Sequence, residues 1–328
     1  MGQNRTISFL VTTACENQCR FCFERGSANA AILPADFVLA KVRERKPMAV
    51  DIAGGEPLLH PEFRIMADGI RKAGARLTVT TNGLALADAG LAEFLANTAN
   101  RIVLSVHAGT PEDYAHVTGN QEGFSLLRKA LSNLSKHVAK GQVLVNSTVT
   151  AQTWPAISAV PKLTAPIDPL AWHVTNPMPL GAAARDFAAI VPRIAQVRSG
   201  IDQVVQAARQ QGMDVFFGFF PACALGEHRR FNSDMVEPGQ ARGFQVDRDL
   251  NPHQTQDLVF ERRFAEPCQD CRLARTACAG PSAEYLRLFG SDELVAVTEA
   301  DTSRSSGDRS HRRAGSNAPT SGRPDERD

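Results

Sequence analysis

Excess charge of either sign, aromatic residues and long apolar runs are all scarce in this chain. Its 328 residues carry 36 basic and 35 acidic side chains, a formal net charge of +1, so no global field draws it to nucleic acid or to an anionic membrane. Two tryptophans and two tyrosines leave little for base stacking, which disfavours a nucleic-acid-binding module. No uninterrupted apolar run reaches about 18 residues, the length a membrane-spanning helix needs. No secretory leader precedes Cys15, and a chain this long does not fit the small disulfide-stapled class. These shortages point to a cytoplasmic protein with neither nucleic acid nor membrane as partner.

What is present is enough apolar residue, 43%, for a substantial core in one large domain with a smaller appendage. Short apolar runs at 7–12, 49–53, 77–81, 102–107, 142–150 and 171–175 read as strands. Between them, amphipathic stretches at 34–45, 61–73, 85–96, 123–137 and 154–163 read as helices. Such alternation predicts an α/β fold with a parallel sheet and functional loops at the carboxyl ends of its strands. A long helical segment at 188–212 leads away from this region. Beyond it a strand at 215–220 and a hairpin of 243–246 with 257–262 are expected, then a cysteine-rich loop and a short helix at 283–289. The expected division is 5–185, 186–300, and a disordered tail at 301–328 with almost no large apolar residue.

Seven cysteines divide into three near the start and four late, and two metal centres would use all of them. Cys15, Cys19 and Cys22 stand as CxxxCxxC directly after the first strand. Three thiols cannot close a four-thiolate site, so an iron-sulfur cluster held there keeps one iron open to a small molecule. A zinc site or a redox pair with a spare thiol competes, although Cys15 lies too far before Cys19 for a zinc knuckle. After the second strand comes Gly54-Gly55-Glu56-Pro57. Two glycines permit close backbone approach, and a carboxylate beside them can accept hydrogen bonds from an ammonium group.

The cysteine run and Gly54-Gly55-Glu56-Pro57 together resemble the CxxxCxxC and GGEP signatures of the radical S-adenosylmethionine (radical SAM) enzymes. The resemblance implies a partial (β/α)6 TIM-like barrel, a 4Fe-4S cluster on Cys15, Cys19 and Cys22, and SAM on the open iron. It also implies that Phe21 packs near the adenine, and that Asn82, Ser105, His107 and Asn146, at the ends of later strands, contact SAM. Each of these four also has a plain reading as a strand terminator or helix cap. Pro179-Leu180-Gly181-Ala182-Ala183 resembles the turn where such barrels hand over to an extension.

Cys268, Cys271 and Cys278 resemble the auxiliary-cluster region of the SPASM and Twitch subfamilies, with Cys223 as fourth ligand from upstream. A structural zinc on the same four thiolates stays open. Four cysteines favour the short, α+β Twitch form with one auxiliary 4Fe-4S cluster. With four protein ligands that cluster has no open iron, and in enzymes resembling 2-deoxy-scyllo-inosamine dehydrogenase it accepts an electron from the substrate radical. The fourth cysteine argues against the GTP cyclase of molybdenum-cofactor biosynthesis. The implied activity is oxidative modification of a peptide or a small natural-product intermediate, by dehydrogenation or crosslinking. The implied partners are a reductase such as flavodoxin or ferredoxin and, for a peptide, a separate recognition protein. A radical SAM epimerase and a non-catalytic iron-sulfur or zinc protein are the competing readings.

Overall fold

The computed structural model describes residues 6–24, 32–233, 244–246, 252–254 and 260–298. Strands β1 (Thr6–Leu10), β2 (Ala49–Ala53), β3 (Arg76–Thr81), β4 (Arg101–Ser105), β5 (Val143–Thr148), β6 (Ala171–Thr175) and β7 (Asp214–Gly218) run parallel, each paired with its neighbour in sequence order. Helices α1 (Ala35–Arg45), α2 (Phe63–Lys72), α3 (Ala89–Thr98), α4 (Pro111–Thr118), α5 (Gly123–Leu134) and α6 (Val160–Thr164) form the connections as far as β6. Short α7 (Phe187–Ile190) and long α8 (Ile194–Gln210) lead from β6 to β7.

Alternation within each strand decides which face the helices cover. Val50 and Ile52, Leu77 and Val79, Ile102 and Leu104, and Val143 and Val145 are fully buried, in one core with helical residues such as Met66, Ile70, Leu95 and Leu127. The opposite face carries Ser8, Asp51 and Thr78, side by side in register, and Ser105, Asn146 and His173, likewise adjacent. A sheet covered on one side and polar on the other is what a barrel with a working interior requires.

The sheet differs from expectation in three places. The strand near 215–220, assigned from sequence to the appendage, is β7 and pairs with β6, residue Ala171 beside Asp214, so seven parallel strands stand where six were expected. The long helical segment is broken at Val191-Pro192-Arg193 between α7 and α8, because proline has no amide hydrogen for a helix interior. β8 (Phe244–Val246) pairs in a hairpin with β9 (Pro252–Gln254) and joins the open edge of β1 in parallel. Residues 255–259 and the tail at 301–328 lie outside the described residues. Helix α4 was not expected; Thr110 caps it, accepting from the Asp113 N–H at 3.2 Å, with Pro111 in its first turn.

Helix α9 (Ala283–Phe289) closes the described chain. Ser282 caps it, accepting from the Tyr285 N–H at 3.1 Å. No described helix is long and apolar enough to cross a membrane.

Candidate active site and late cysteine site

The loop after β1 carries Cys15, Cys19 and Cys22 across the carboxyl end of the sheet, and backbone bonds hold it from three sides. The Gly55 and Glu56 N–H groups each donate at 2.6 Å, to the carbonyls of Thr12 and Ala14. Gln18 and Arg20 donate to the carbonyls of Thr118 and Val117 at the end of α4, and Ala182 donates to Cys22 at 2.9 Å. These contacts explain the glycines. A Cβ on Gly54 would lie 2.5 Å from the Thr12 carbonyl oxygen, and one on Gly55 2.4 Å from that of Ala14. Gly181 is equally constrained, 2.3 Å from the Phe23 carbonyl oxygen.

Glu56 is 0% exposed, and its carboxylate is taken up by the protein. Oε1 accepts from the Leu58 N–H at 3.0 Å and the Thr81 hydroxyl at 2.7 Å, while Oε2 accepts from the Asn82 N–H at 2.7 Å. Burial pushes its pKa up to about 7 against these three donors. The carboxylate therefore ties the glycine loop to the end of β3. Asn82 in turn directs its side-chain amide to the Cys15 sulfur, 3.7 Å away, and to Glu16 Oε2 at 3.0 Å.

Phe21 meets His107 edge-on, with ring centroids 4.6 Å apart. His107 Nδ1 accepts from the Thr148 N–H at 3.1 Å, which leaves any ring proton to Nε2. Burial lowers the His107 pKa to about 4, so the ring is neutral. Ser105 and Asn146 are register partners on the polar face. The structure thus gathers every early candidate at one end of the sheet.

Sequence reasoning passed over Asn17, Asn120 and Tyr114. Asn17 donates to the Tyr114 hydroxyl at 3.4 Å and accepts from the Asn120 amide at 3.1 Å, and the two links brace the cysteine loop against α4. The available signal was Asn17 itself, a buried amide between two of the cysteines.

Late in the chain, Cys223, Cys268, Cys271 and Cys278 line one cavity with apolar walls that include Phe264 and Leu294. Two of the four sulfurs accept backbone N–H bonds. Cys278 accepts from the Ala222 and Gly280 N–H groups at 3.3 and 3.4 Å, and Cys271 from Val297 at 3.4 Å.

Residues 9–152 match the Radical SAM superfamily. This segment is a radical SAM domain. It contains both the cysteine loop and the glycine loop. Among curated proteins the chain is similar to a probable GTP 3',8-cyclase of Pyrobaculum aerophilum, 30% identical over 118 residues, 34% of this chain and 38% of that protein. It is also similar to an AdoMet-dependent heme synthase of Methanosarcina barkeri, 23% identical over 185 residues, 54% of this chain and 52% of that protein. The matches thus span about two fifths to one half of these relatives.

Solved structures extend the likeness of fold beyond the domain. Streptococcus suis SuiB bound to S-adenosylmethionine superposes with a TM-score of 0.62 at 15% identity, covering 90% of this chain and 76% of SuiB. The anSMEcpe structure with bound AdoMet and a Cp18Cys peptide gives 0.62 at 15%, covering 92% and 95%. The chain therefore has the radical SAM barrel with a C-terminal extension.

The donor set of the early loop fits a cluster. Loss of solvent around its sulfur pushes Cys15 up to about 11, although the residue as a whole reaches the surface. Burial does the same for Cys223. Thiols so placed stay protonated unless a metal displaces the proton, and the amides aimed at Cys15, Cys271 and Cys278 are the hydrogen bonds that stabilise cluster sulfur.

Proposed function

We propose that this protein is a radical SAM oxidoreductase that modifies a peptide substrate by dehydrogenation or crosslinking, with a second 4Fe-4S cluster as electron acceptor. The observation that carries the reading is the late site, where four thiols share one cavity and Cys271 and Cys278 receive backbone N–H groups.

Cys15, Cys19 and Cys22 would hold the first cluster, with SAM on its remaining iron. When bound and reduced, this pair supplies a 5'-deoxyadenosyl radical able to remove a hydrogen atom from a substrate C–H bond. The chain's own contribution is placement. The glycines at 54 and 55 bring the backbone against the cysteine loop, Asn82 faces Cys15, and Ser105, Asn146 and His107 present polar groups from β4 and β5 toward the same end. The substrate loses a hydrogen atom, then one electron and one proton, a two-electron oxidation. The four late cysteines would hold the second cluster, and with four protein ligands it would supply an electron acceptor.

One point supports iron over zinc at the late site. Among the described residues no three cysteine sulfurs lie within 4.8 Å of one another, whereas sulfurs on one tetrahedral zinc, with Zn–S near 2.3 Å, would sit about 3.8 Å apart. The wider spread suits a cluster. A peptide is favoured because SuiB has been solved bound to its precursor peptide and anSMEcpe with a Cp18Cys peptide. An epimerase would need a thiol as hydrogen-atom donor, and all seven cysteines fall into the two groups.

The test is iron and sulfide content with electron paramagnetic resonance of anaerobically reconstituted protein, before and after adding SAM. About eight irons and a spectrum altered by SAM are expected. Zinc in the late site would remove the electron-acceptor role, and no response to SAM would remove the radical mechanism.

A further inference from the structure

The late site is built from two pieces of chain distant in sequence, and Arg198 is one of the side chains that join them. Cys223 follows β7, while the amide that meets Cys271 comes from Val297, in the strap after α9. Arg198, half-buried on α8, donates from Nη2 to the Glu293 carbonyl at 2.9 Å. The same guanidinium reaches the Cys223 carbonyl, from Nη2 at 3.3 Å and Nε at 3.4 Å. Among the described residues these carbonyls, and no carboxylate, receive its hydrogen bonds.

The strap is anchored beside this bridge. Glu293 accepts from the Tyr285 hydroxyl at 2.5 Å and pairs with Arg193 at 2.8 Å. Tyr285 accepts in turn from the Ile194 N–H at 2.9 Å, where α8 begins. Arg193 and Tyr285 thus fix where the strap starts. Arg198 fixes its distance from Cys223.

We propose that Arg198 is a positioning and potential-setting residue for the late cluster, holding the backbone at Cys223 against the strap at Glu293 and placing one positive charge beside the thiolates. The inference rests on the iron-sulfur reading of that site. A reduced cluster is more negative than an oxidised one, so a nearby cation favours reduction and raises the potential. An electron acceptor benefits directly. The forked guanidinium matters as well as the charge, since two carbonyls must be bound at once and lysine is a point donor.

The experiment uses the full-length chain with Cys15, Cys19 and Cys22 replaced by Ala, so that the late centre alone is observed. Iron, sulfide and zinc are measured, and the midpoint potential is followed by electron paramagnetic resonance, in this background and with Arg198→Met or Arg198→Lys added. The expected result is about four irons in each, a more negative midpoint in Arg198→Met, and recovery of most of the shift in Arg198→Lys. Loss of iron from Arg198→Met alone, with far-UV circular dichroism unchanged, would also support the bridge. Unchanged iron and midpoint in Arg198→Met overturns the proposal, as does unfolding of both variants, which would make Arg198 a general strut. Zinc or no metal in the background protein would instead mean that the iron-sulfur reading has failed.

Discussion

The side-chain amide of Asn82 lies 3.7 Å from the Cys15 sulfur, and its other contact is Glu16 Oε2 at 3.0 Å. Its position is set twice over, because the Asn82 N–H donates to Glu56 Oε2 and its Oδ1 accepts from the Leu84 N–H at 2.9 Å. An amide held this firmly against the Cys15 sulfur would act as a hydrogen bond to a cluster held there, under the proposed reading. Bonds to charged groups are worth about 1.5–3 kcal/mol. Asn82→Ala should therefore slow 5'-deoxyadenosine formation by about tenfold or more and lower the potential of the first cluster, with iron content retained. Rate and potential unchanged together would show that the contact is idle.

The late cysteines invite a separation of two activities. In a Cys268→Ala, Cys271→Ala, Cys278→Ala variant, the early loop keeps all its backbone anchors, so SAM cleavage should persist with about four irons. Oxidised product should fall below detection, because the electron left on the substrate has lost its acceptor. Product analysis by mass spectrometry beside 5'-deoxyadenosine assay reads both. Full product yield without the late cysteines would assign them a structural role.

How much of this was visible in the residues depends on the kind of signal. β2 and β6 match the expected strands residue for residue, and β3 and β4 nearly so, since alternation of branched apolar residues with polar ones is local. Cys15, Cys19 and Cys22 were singled out by their spacing, and the structure places all three on the loop after β1. The pairing of β7 with β6 was hidden, because a short apolar run does not say which sheet it joins. Glu56 was read as a group facing a ligand. Its carboxylate instead meets Leu58, Thr81 and Asn82, a long-range arrangement with no sequence periodicity. Helix α4 did carry its signal, Thr110-Pro111-Glu112-Asp113, but only three apolar positions followed to suggest a helix.

Gly55 tests the packing of the two loops. A methyl group there would meet the Ala14 carbonyl oxygen at 2.4 Å and that of Thr13 at 2.6 Å, and backbone cannot swing aside as a side chain can. Gly55→Ala should cost about 3 kcal/mol, the upper end for overpacking, and displace the cysteine loop. Denaturant unfolding of the apoprotein reads the first effect and iron uptake the second. A variant with unchanged midpoint and full iron would show that the loops separate without penalty.

Acidity gives the last test, because two buried groups oppose one another. Glu56 is raised from 4.5 to about 7 by burial, so between those values the folded protein binds more protons than the unfolded chain, and stability falls as pH rises. His107 is lowered from 6.5 to about 4 by burial, so between 4 and 6.5 the unfolded chain binds more, and stability falls as pH drops. In the apoprotein the two slopes nearly cancel between 4.5 and 6.5, each group contributing at most about 3 kcal/mol. Replacing one group should expose the other. Glu56→Gln should become progressively less stable on acidification from pH 6.5 toward 4, while His107→Gln should become less stable as pH rises from 4.5 to 7. Urea midpoints across this range decide it: parallel profiles in the parent and both variants would mean that neither group titrates apart from its unfolded value.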